Sequence, residues 1–336
     1  MVAMPNKNNR NVLNKKKLNV RVQSISYLAE DILAFEFVDP AGMELAPFAA
    51  GGHIDVHLAN GLIRQYSLCN DPAEAHHYVV AVLREPNSRG GSAAMHQEVF
   101  VGNELTISQP RNHFALSKHA GRHVLLAGGI GVTPIMAMVA ELSRRGEPFH
   151  LYYCTRSPER TAFMPEINTL AEKGLATLIH DRGNPSAGLD FGRVLADYTI
   201  GDHLYYCGPG GFLAAVEAAS PHWPTEAKHC ERFAAADGVD ARADTDDQVG
   251  FDVQLSRSGK TFRVEPGQTI VDVLREHGID VDTSCREGYC GTCLTRYLAG
   301  RPAHHDTVLD EEDREVYVMI CCARAESEGE CLVLDI

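Results

Sequence analysis

Short apolar runs separated by Gly, Pro and Asn dominate the first third of the chain. Each run has the length of one β-strand, and turn residues follow each of them. The runs lie at residues 32–37, 54–58, 78–83 and 104–107. This pattern predicts a small antiparallel β-barrel over residues 18–116. Residues 1–17 are basic, carry no apolar run and are expected to form a disordered tail.

The pattern changes at His123, where HVLLAGGIGVTPIMAMVAEL predicts a buried strand, a glycine turn and an amphipathic helix. The later segments FHLYYCT and DHLYYCG have the continuous apolar character of buried parallel strands. Residues 117–230 are therefore predicted to form an α/β domain with a parallel sheet.

A polar, Ala- and Asp-rich segment, 231–248, lacks periodicity and is predicted to be an interdomain linker. The sequence that follows predicts two strands joined by a turn, then a helix, then a cluster of cysteines. Residues 249–336 are therefore expected to form a third, small α+β domain.

Length and composition agree with three domains, because 336 residues exceed one typical core. The sequence contains neither a membrane-spanning apolar stretch nor a signal-peptide pattern, so we expect no membrane association and a cytoplasmic location. A net charge of −14 argues against nucleic acid as a partner. We expect a monomer.

Three cysteines stand in CREGYCGTC, which has the C-x4-C-x2-C spacing of a plant-type [2Fe–2S] centre: Cys285, Cys290 and Cys293. Gly288 and Gly291 allow this loop to bend and to direct N–H groups at sulfur. Zinc sites more often show paired C-x2-C elements. The cysteines are thus predicted to be cluster ligands rather than disulfide partners.

The fourth ligand must come from further along the chain, and Cys321, Cys322 and Cys331 are available. On an extended strand adjacent side chains point to opposite faces, so Cys321 and Cys322 are not both expected to face the cluster. The spacing alone leaves the choice open.

The segment RQYSL resembles the R-x-Y-S flavin motif of the ferredoxin reductase superfamily. In this motif Arg64 is suited to phosphate, Tyr66 to the isoalloxazine or ribityl chain, and Ser67 to flavin N5, with Leu68 following. The nearby SRGGS has the composition of a phosphate cradle. FMN is preferred to FAD, because no adenine-binding extension is evident. The resemblance adds further flavin contacts: Leu83, Arg84, Arg89, Gly90, Gly91 and Ser92.

GGIGVTPI, between a strand and a helix, resembles the nicotinamide loop of the same superfamily and lacks the G-x-G-x-x-G fingerprint. Its predicted contact residues are Gly128, Gly129, Gly131, Thr133 and Pro134. The resemblance also implies a second element beside the nicotinamide, formed by Cys207, Gly208 and Pro209. In relatives the adenosine end lies near Thr155, Arg156 and Ser157.

These motifs, in this order, resemble the phthalate dioxygenase reductase and vanillate O-demethylase reductase family. The resemblance implies a β-grasp ferredoxin domain, Cys321 as fourth ligand, and a reacting centre formed by Ser67, Cys207 and Glu231. Ala323 departs from the Ser usual in the family's C-x-S-R-A run. Cys230 stands where several relatives carry an aromatic residue against the flavin.

The implied function is electron transfer from NADH through FMN and the [2Fe–2S] centre to a terminal Rieske-type oxygenase acting on an aromatic compound. NADH over NADPH rests on the resemblance, because Arg156, Ser157 and Arg160 would also suit a 2′-phosphate. Alternatives are the reductase of a quaternary-amine monooxygenase, a stand-alone diaphorase, or a redox sensor that only holds the cluster. The sensor would not need two nucleotide motifs, and the diaphorase would not need a ferredoxin domain.

Overall fold

The computed structural model describes residues 17–86, 90–118, 120–233 and 250–336. The predicted tail, apart from Lys17, lies outside these residues, as do Arg89 and most of the predicted linker. Lys17 itself is the first residue of the first strand.

The first sheet is antiparallel and closes into a barrel. Its hydrogen-bonded strands follow the order β4-β3-β6-β1-β2-β5. A β-bridge between Leu68, which follows β4, and Val80 of β5 joins the two edge strands. One helix, α1 (Gly91–Glu98), follows the fifth strand. The strands are β1 (Lys17–Ala29), β2 (Ile32–Val38), β3 (His53–His57), β4 (Ile63–Ser67), β5 (His77–Leu83) and β6 (Glu104–Ser108).

The second sheet is parallel throughout, in the order β11-β10-β7-β8-β9. Its strands are β7 (Arg122–Gly128), β8 (Phe149–Thr155), β9 (Ala176–His180), β10 (Asp202–Cys207) and β11 (Lys228–Glu231). Its helices are α2 (Val132–Arg145), α3 (Met164–Glu172), α4 (Phe191–Val194) and α5 (Gly210–Ala219). Parallel strands align their carboxyl ends, so Gly128, Cys207 and Glu231 meet at one edge. Glu231, predicted to begin the linker, is the last residue of β11.

The third sheet is mixed, in the order β13-β12-β18-β14-β16, and only β12 and β18 pair in parallel. Its strands are β12 (Phe251–Leu255), β13 (Thr261–Val264), β14 (Leu294–Ala299), β16 (Tyr317–Met319) and β18 (Cys331–Leu334). Two short strands, β15 (Pro302–Ala303) and β17 (Arg324–Ala325), pair with each other as a separate antiparallel sheet. The helices are α6 (Ile270–Glu276) and α7 (Glu311–Arg314). A capping box of Thr269 and Asp272 starts α6. The predicted fold class is confirmed in all three domains.

Helix α2 lies between the parallel sheet and the barrel, and it is buried along most of its length. Its side chains share one hydrophobic core with barrel residues such as Ile32 and Ala81. The buried carboxylate of Glu141 accepts a hydrogen bond from the Ala50 amide at 3.2 Å. The barrel and the α/β domain are thus held together by apolar packing and by a buried hydrogen bond.

Candidate functional site

The Arg64 side chain of β4 lies against the start of α1. The Arg64 side chain covers the first helical residue so closely that a Cβ on Gly91 would lie 2.4 Å from the Arg64 Nε. Gly90 precedes the helix with a φ of 84°, which favours glycine. A guanidinium beside the N–H groups of a helix start is suited to bind a phosphate. The predicted phosphate residues Arg64, Gly90 and Gly91 are therefore brought together.

Tyr66 carries a buried hydroxyl that has no hydrogen-bond partner among the described residues. Burial raises the pKa of this phenol above its ordinary value. A buried, unpartnered hydroxyl is costly unless a ligand satisfies it. This orphaned group, on the same strand as Arg64, fits a bound flavin.

The remaining predicted flavin residues have other surroundings. Leu68 is fully buried in the barrel core, and Leu83, at the end of β5, packs against the core shared with α2. Arg84 forms an ion pair with Asp31 at 2.7 Å. The Ser92 hydroxyl accepts a hydrogen bond from the Glu85 amide at 3.1 Å.

The predicted nicotinamide loop lies at the carboxyl edge of the parallel sheet. Gly128 ends β7, and a short 3₁₀ turn, Gly129–Gly131, leads into α2. A Cβ on Gly131 would lie 2.3 Å from the Cys207 carbonyl oxygen, and one on Gly208 would lie 3.1 Å from the Gly128 Cα. Two loops can approach this closely only because neither has side chains there.

Hydrogen bonds hold the rest of this loop in place. The buried Thr133 hydroxyl donates to the Ile130 carbonyl at 3.0 Å. Pro134 is buried in the first turn of α2, and Pro209 lies immediately before α5. These residues shape the edge of the sheet where a dinucleotide would lie.

The predicted adenosine region follows β8. The Thr155 hydroxyl lies 2.8 Å from both the Thr161 hydroxyl and the His180 Nδ1. Arg156 is exposed and Ser157 half-buried. Thr155 therefore orders the turn, whereas Arg156 and Ser157 are accessible to a ligand.

The three residues predicted at the reacting centre come together from two domains. Ser67, at the end of β4, donates a hydrogen bond from its hydroxyl to the Glu231 Oε2 at 3.2 Å. Glu231 is paired in register with Cys207 on the neighbouring strand. The sequence placed these residues far apart, and the fold brings them to one edge.

Electrostatics at this centre favours neutral groups. Burial raises the pKa of the Glu231 carboxyl to about 8, although the hydrogen bond from Ser67 opposes the shift. Burial, followed by the nearby Glu231 carboxyl and Cys230 thiol, raises the pKa of the Cys207 thiol well above its ordinary value. Cys207 therefore stays a thiol at neutral pH, and the Glu231 carboxyl is largely protonated there.

The cysteine loop encloses a group of buried thiols. Cys285, Cys290, Cys293 and Cys321 are each at most 3% exposed. The Cys321 thiol interacts with those of Cys285 and Cys293, and these contacts lower the pKa of Cys321. A hydrogen bond from the Cys285 thiol lowers the pKa of Cys290 to about 7. The same contacts raise the pKa of the Cys285 and Cys293 thiols, so the thiolate form is favoured at Cys290 and Cys321 and disfavoured at Cys285 and Cys293.

Backbone geometry supports the same centre. The Glu287 amide donates to the Cys285 Sγ at 3.3 Å, and the Cys285 amide donates to the Cys290 Sγ at 3.5 Å. Gly288 has a φ of 77°, which bends the loop around the sulfurs. Within the described residues no three His, Cys, Asp or Glu side chains are arranged to hold one metal ion. The fit of a two-iron cluster rests on the four thiols and the amides directed at them.

The expectation that Cys321 and Cys322 alternate on a strand was wrong. Both lie in a turn after β16, where the amides of Cys322 and Ala323 donate to the Met319 carbonyl at 3.0 and 2.8 Å. The Cys322 Sγ would lie 2.7 Å from a Cβ on Gly288. Both cysteines thus approach the loop, and Cys321 as the ligand stays a prediction.

Several residues at the junction of the domains were missed from the sequence. Gln65 donates to the Cys290 carbonyl at 3.3 Å, and Thr292 donates to the Asp55 Oδ1 at 3.2 Å. Gln65 is the variable position of the flavin motif, so the motif gave no reason to single it out. Beyond Cys230, Phe233 is an exposed aromatic residue whose carbonyl accepts from the Tyr289 hydroxyl at 2.8 Å.

Comparisons with known proteins identify the family. Residues 253–326 match the 2Fe-2S iron-sulfur cluster binding domain, and residues 106–227 match the N-terminal domain of dimethylamine monooxygenase subunit DmmA-like proteins. Vanillate O-demethylase oxidoreductase from a Pseudomonas species is 41% identical over 323 residues, which cover 95% of this chain and 100% of that protein. The chain belongs to the phthalate dioxygenase reductase and vanillate O-demethylase reductase family.

Two further members extend the match. The reductase subunit of a tert-butanol monooxygenase / tert-amyl alcohol desaturase from Aquincola tertiaricarbonis is 45% identical, covering 96% of this chain and 97% of that protein. The structure of phthalate dioxygenase reductase aligns with a TM-score of 0.71 and 38% identity, over 95% of this chain and 98% of that one. The predicted family and its oxidoreductase class are confirmed. These relatives are named as reductase components of oxygenase systems, and the phthalate dioxygenase reductase structure is described as a modular structure for electron transfer from pyridine nucleotides to [2Fe–2S].

Among the described residues, no helix combines the length and apolar character needed to span a membrane.

Proposed function

We propose that this family member is an NADH-dependent reductase that passes electrons through FMN and a [2Fe–2S] centre to a Rieske-type terminal oxygenase. One observation carries the proposal: strand β4 contacts both ends of the path. Ser67 meets Glu231 beside the nicotinamide loop, while Gln65 on the same strand meets Cys290 of the cysteine loop. A flavin bound along β4 would lie between its electron donor and its acceptor.

Three residues at the domain edge, Ser67, Cys207 and Glu231, would orient the reacting part of the flavin and exclude water from it. FMN, when bound, supplies the conversion of a two-electron hydride donor into a one-electron donor. The Ser67 hydroxyl donates a hydrogen bond to the Glu231 carboxyl at the domain edge. Cys207, a buried neutral thiol, keeps water away from this edge.

FMN is favoured over FAD by the position of Arg64 against the start of α1. The guanidinium and the start of α1 bind one terminal phosphate, and a longer dinucleotide would have to continue past Gly91. We expect the purified protein to be red-brown, with about one FMN, two irons and two acid-labile sulfides per chain. Bound FAD, or zinc in place of iron, would overturn this cofactor set.

NADH is favoured over NADPH by the surroundings of Arg160. This guanidinium lies 3.1 Å from the Glu30 Oε2 and 3.6 Å from the Asp31 Oδ2, so two carboxylates already occupy it. A 2′-phosphate beside Arg160 would be repelled by the same carboxylates. We expect a higher kcat/KM with NADH than with NADPH. The double variant Glu30→Gln, Asp31→Asn should lower the ratio of these two kcat/KM values. Equal values with NADPH for the unaltered protein would contradict the assignment.

The electron acceptor would dock on an acidic domain. Residues 248–336 contain nine Lys and Arg against 17 Asp and Glu. Helix α7 carries exposed carboxylates in its only turn, including Glu311 and Glu312. Complementary charge speeds association and makes it sensitive to salt. Electron delivery to the oxygenase should therefore slow as ionic strength rises, while reduction of small neutral acceptors should not.

A cytoplasmic location agrees with the state of the cysteines. All ten cysteines lie within the described residues, and none forms a disulfide. Free thiols persist in a reducing compartment. The substrate of the oxygenase belongs to the partner, and relatives are named for acids such as phthalate and vanillate and for a tertiary alcohol. We favour an aromatic substrate, and identifying the oxygenase that accepts electrons from this reductase tests the choice.

A further inference from the structure

One face of the β3–β4 hairpin is directed at the cysteine loop. Asp55 pairs with Gln65 across the hairpin, and His53 pairs with Ser67. Side chains two residues apart on a strand lie on one face, as do directly paired residues, so these four share a face. The opposite face of β4 carries Arg64 and Tyr66 of the flavin motif.

Three consecutive residues of the cysteine loop contact the barrel domain. The Cys290 carbonyl accepts from Gln65 at 3.3 Å, and the Thr292 hydroxyl donates to the Asp55 Oδ1 at 3.2 Å. Between them, a Cβ on Gly291 would lie only 3.1 Å from the His113 Nε2. A side chain at Gly291 would therefore require the His113 ring to move.

The contact between Asp55 and Thr292 is the most buried of the three. Asp55 is 3% exposed and Thr292 is 5% exposed. The other carboxylate oxygen of Asp55 forms an ion pair with Arg111 at 2.7 Å, which holds the carboxylate in place. A buried carboxylate accepts strongly, because water is not available to replace its partner.

The same hydroxyl also lies beside a predicted cluster ligand. The Thr292 Oγ1 is 3.3 Å from the Cys290 Sγ. A hydroxyl has one proton, and Asp55, an acceptor paired with Arg111, takes it. Thr292 thus ties the ligand-bearing loop to the barrel rather than donating to the sulfur.

We propose that Asp55 and Thr292 form an interdomain latch that holds Cys290 against the flavin strand and so fixes the separation over which electrons leave the flavin. The proposal rests on the proposed function, because it requires a flavin along β4 and a cluster on Cys290. Asp55 and Thr292 are positioning residues. They should set the rate of the flavin-to-cluster step and leave the nicotinamide-to-flavin step unchanged.

The test uses the full-length protein with its flavin and cluster, mixed anaerobically with NADH in a stopped-flow instrument. Thr292→Val keeps the side-chain shape and removes the hydroxyl, whereas Thr292→Ser keeps the hydroxyl. We expect Thr292→Val to slow cluster reduction about tenfold or more, because without this hydrogen bond the loop is no longer held at a fixed distance and small displacements of reacting groups cost large factors in rate. The rate of flavin reduction should be unchanged, and Thr292→Ser should recover most of the rate of cluster reduction.

A matched control separates the latch from a general loss of packing. Thr295 is also a buried threonine of the ferredoxin domain, but its hydroxyl donates to the Cys293 carbonyl, within that domain. Thr295→Val should leave the rate of cluster reduction unchanged. If it slows this rate as much as Thr292→Val does, the latch is refuted.

A double-mutant cycle tests the pairing itself. Asp55→Ala removes the acceptor on the barrel side, and combining it with Thr292→Val should slow cluster reduction no further than Thr292→Val alone. A double variant slowed by the product of the two single effects would overturn the latch. If Thr292→Val fails to hold a cluster, Asp55→Ala decides alone, since an unchanged rate of cluster reduction would refute the proposal. Absence of flavin reduction by NADH in the unaltered protein would instead refute the proposed function.

Discussion

Replacing Gly131 by Ala tests whether the closely packed edge of the parallel sheet positions the nicotinamide. Gly131 has a φ of −62°, which any residue adopts, so the substitution acts through steric contact alone. The new methyl would lie 2.3 Å from the Cys207 carbonyl oxygen and 2.5 Å from its carbon, whereas ordinary contact begins at 3.4 Å. The two loops must therefore separate by about 1 Å, since backbone atoms cannot rotate away.

This displacement predicts both a stability loss and a kinetic loss. Overpacking of this kind costs about 1–3 kcal/mol in the free energy of unfolding. A 1 Å misplacement of a reacting group costs on the order of 100-fold in rate. We expect flavin reduction by NADH to slow by about that factor, with flavin content and the reduced-cluster EPR signal under dithionite unchanged.

Stopped-flow reduction of the flavin under anaerobic conditions is the assay, with thermal unfolding to measure stability. Gly211→Ala is the matched control, because Gly211 is exposed on α5 and a Cβ there meets nothing within 4 Å. The control should behave as the unaltered protein. A Gly131→Ala protein with unchanged KM and flavin-reduction rate would refute the argument that this contact positions the nicotinamide.

Cys321→Ser should abolish or severely destabilise the cluster while NADH still reduces the flavin, whereas Cys322→Ser and Cys331→Ser should retain the reduced-cluster EPR signal; the reverse pattern for the first two would show that the ligand is misassigned. Ser67→Ala should slow flavin reduction more than it weakens flavin binding, because the hydroxyl lies at the reacting edge; an unchanged rate in a flavin-replete variant would remove that role. Glu231 binds a proton in the folded state up to about pH 8 but in the unfolded state only to its ordinary pKa of 4.5. Its contribution to stability therefore falls as pH rises between these values, and Glu231→Gln should flatten that part of the Tm–pH curve of the flavin-free protein; identical curves would contradict the raised pKa.

The order and type of the three domains could be predicted because each has a distinct local pattern. Short apolar runs separated by turn residues predict the barrel, and continuous apolar runs around GGIGVTPI predict the parallel sheet. The spacing of Cys285, Cys290 and Cys293 predicts the ferredoxin loop. These signals depend on neighbours in the sequence, so tertiary contacts were not needed to interpret them.

The errors and omissions arise where tertiary structure decides. The turn at Cys321 depends on two amides that share the Met319 carbonyl, which a short apolar run does not reveal. Pairing of Asp55 with Thr292 joins residues 237 positions apart, and it depends on how two domains pack. The sequence alone predicts that Arg160 would suit a 2′-phosphate, but in the structure Arg160 forms an ion pair with Glu30 of the barrel.

The most direct test of the electron path is to mix the holoprotein anaerobically with NADH and to follow the flavin absorbance and the cluster EPR signal in freeze-quenched samples. The account predicts that the flavin bleaches first and that the reduced-cluster signal rises afterwards, at a rate shared with partial flavin reoxidation. A cluster signal that appears before any change in the flavin, or a flavin that is reduced while the cluster stays oxidised, would contradict it.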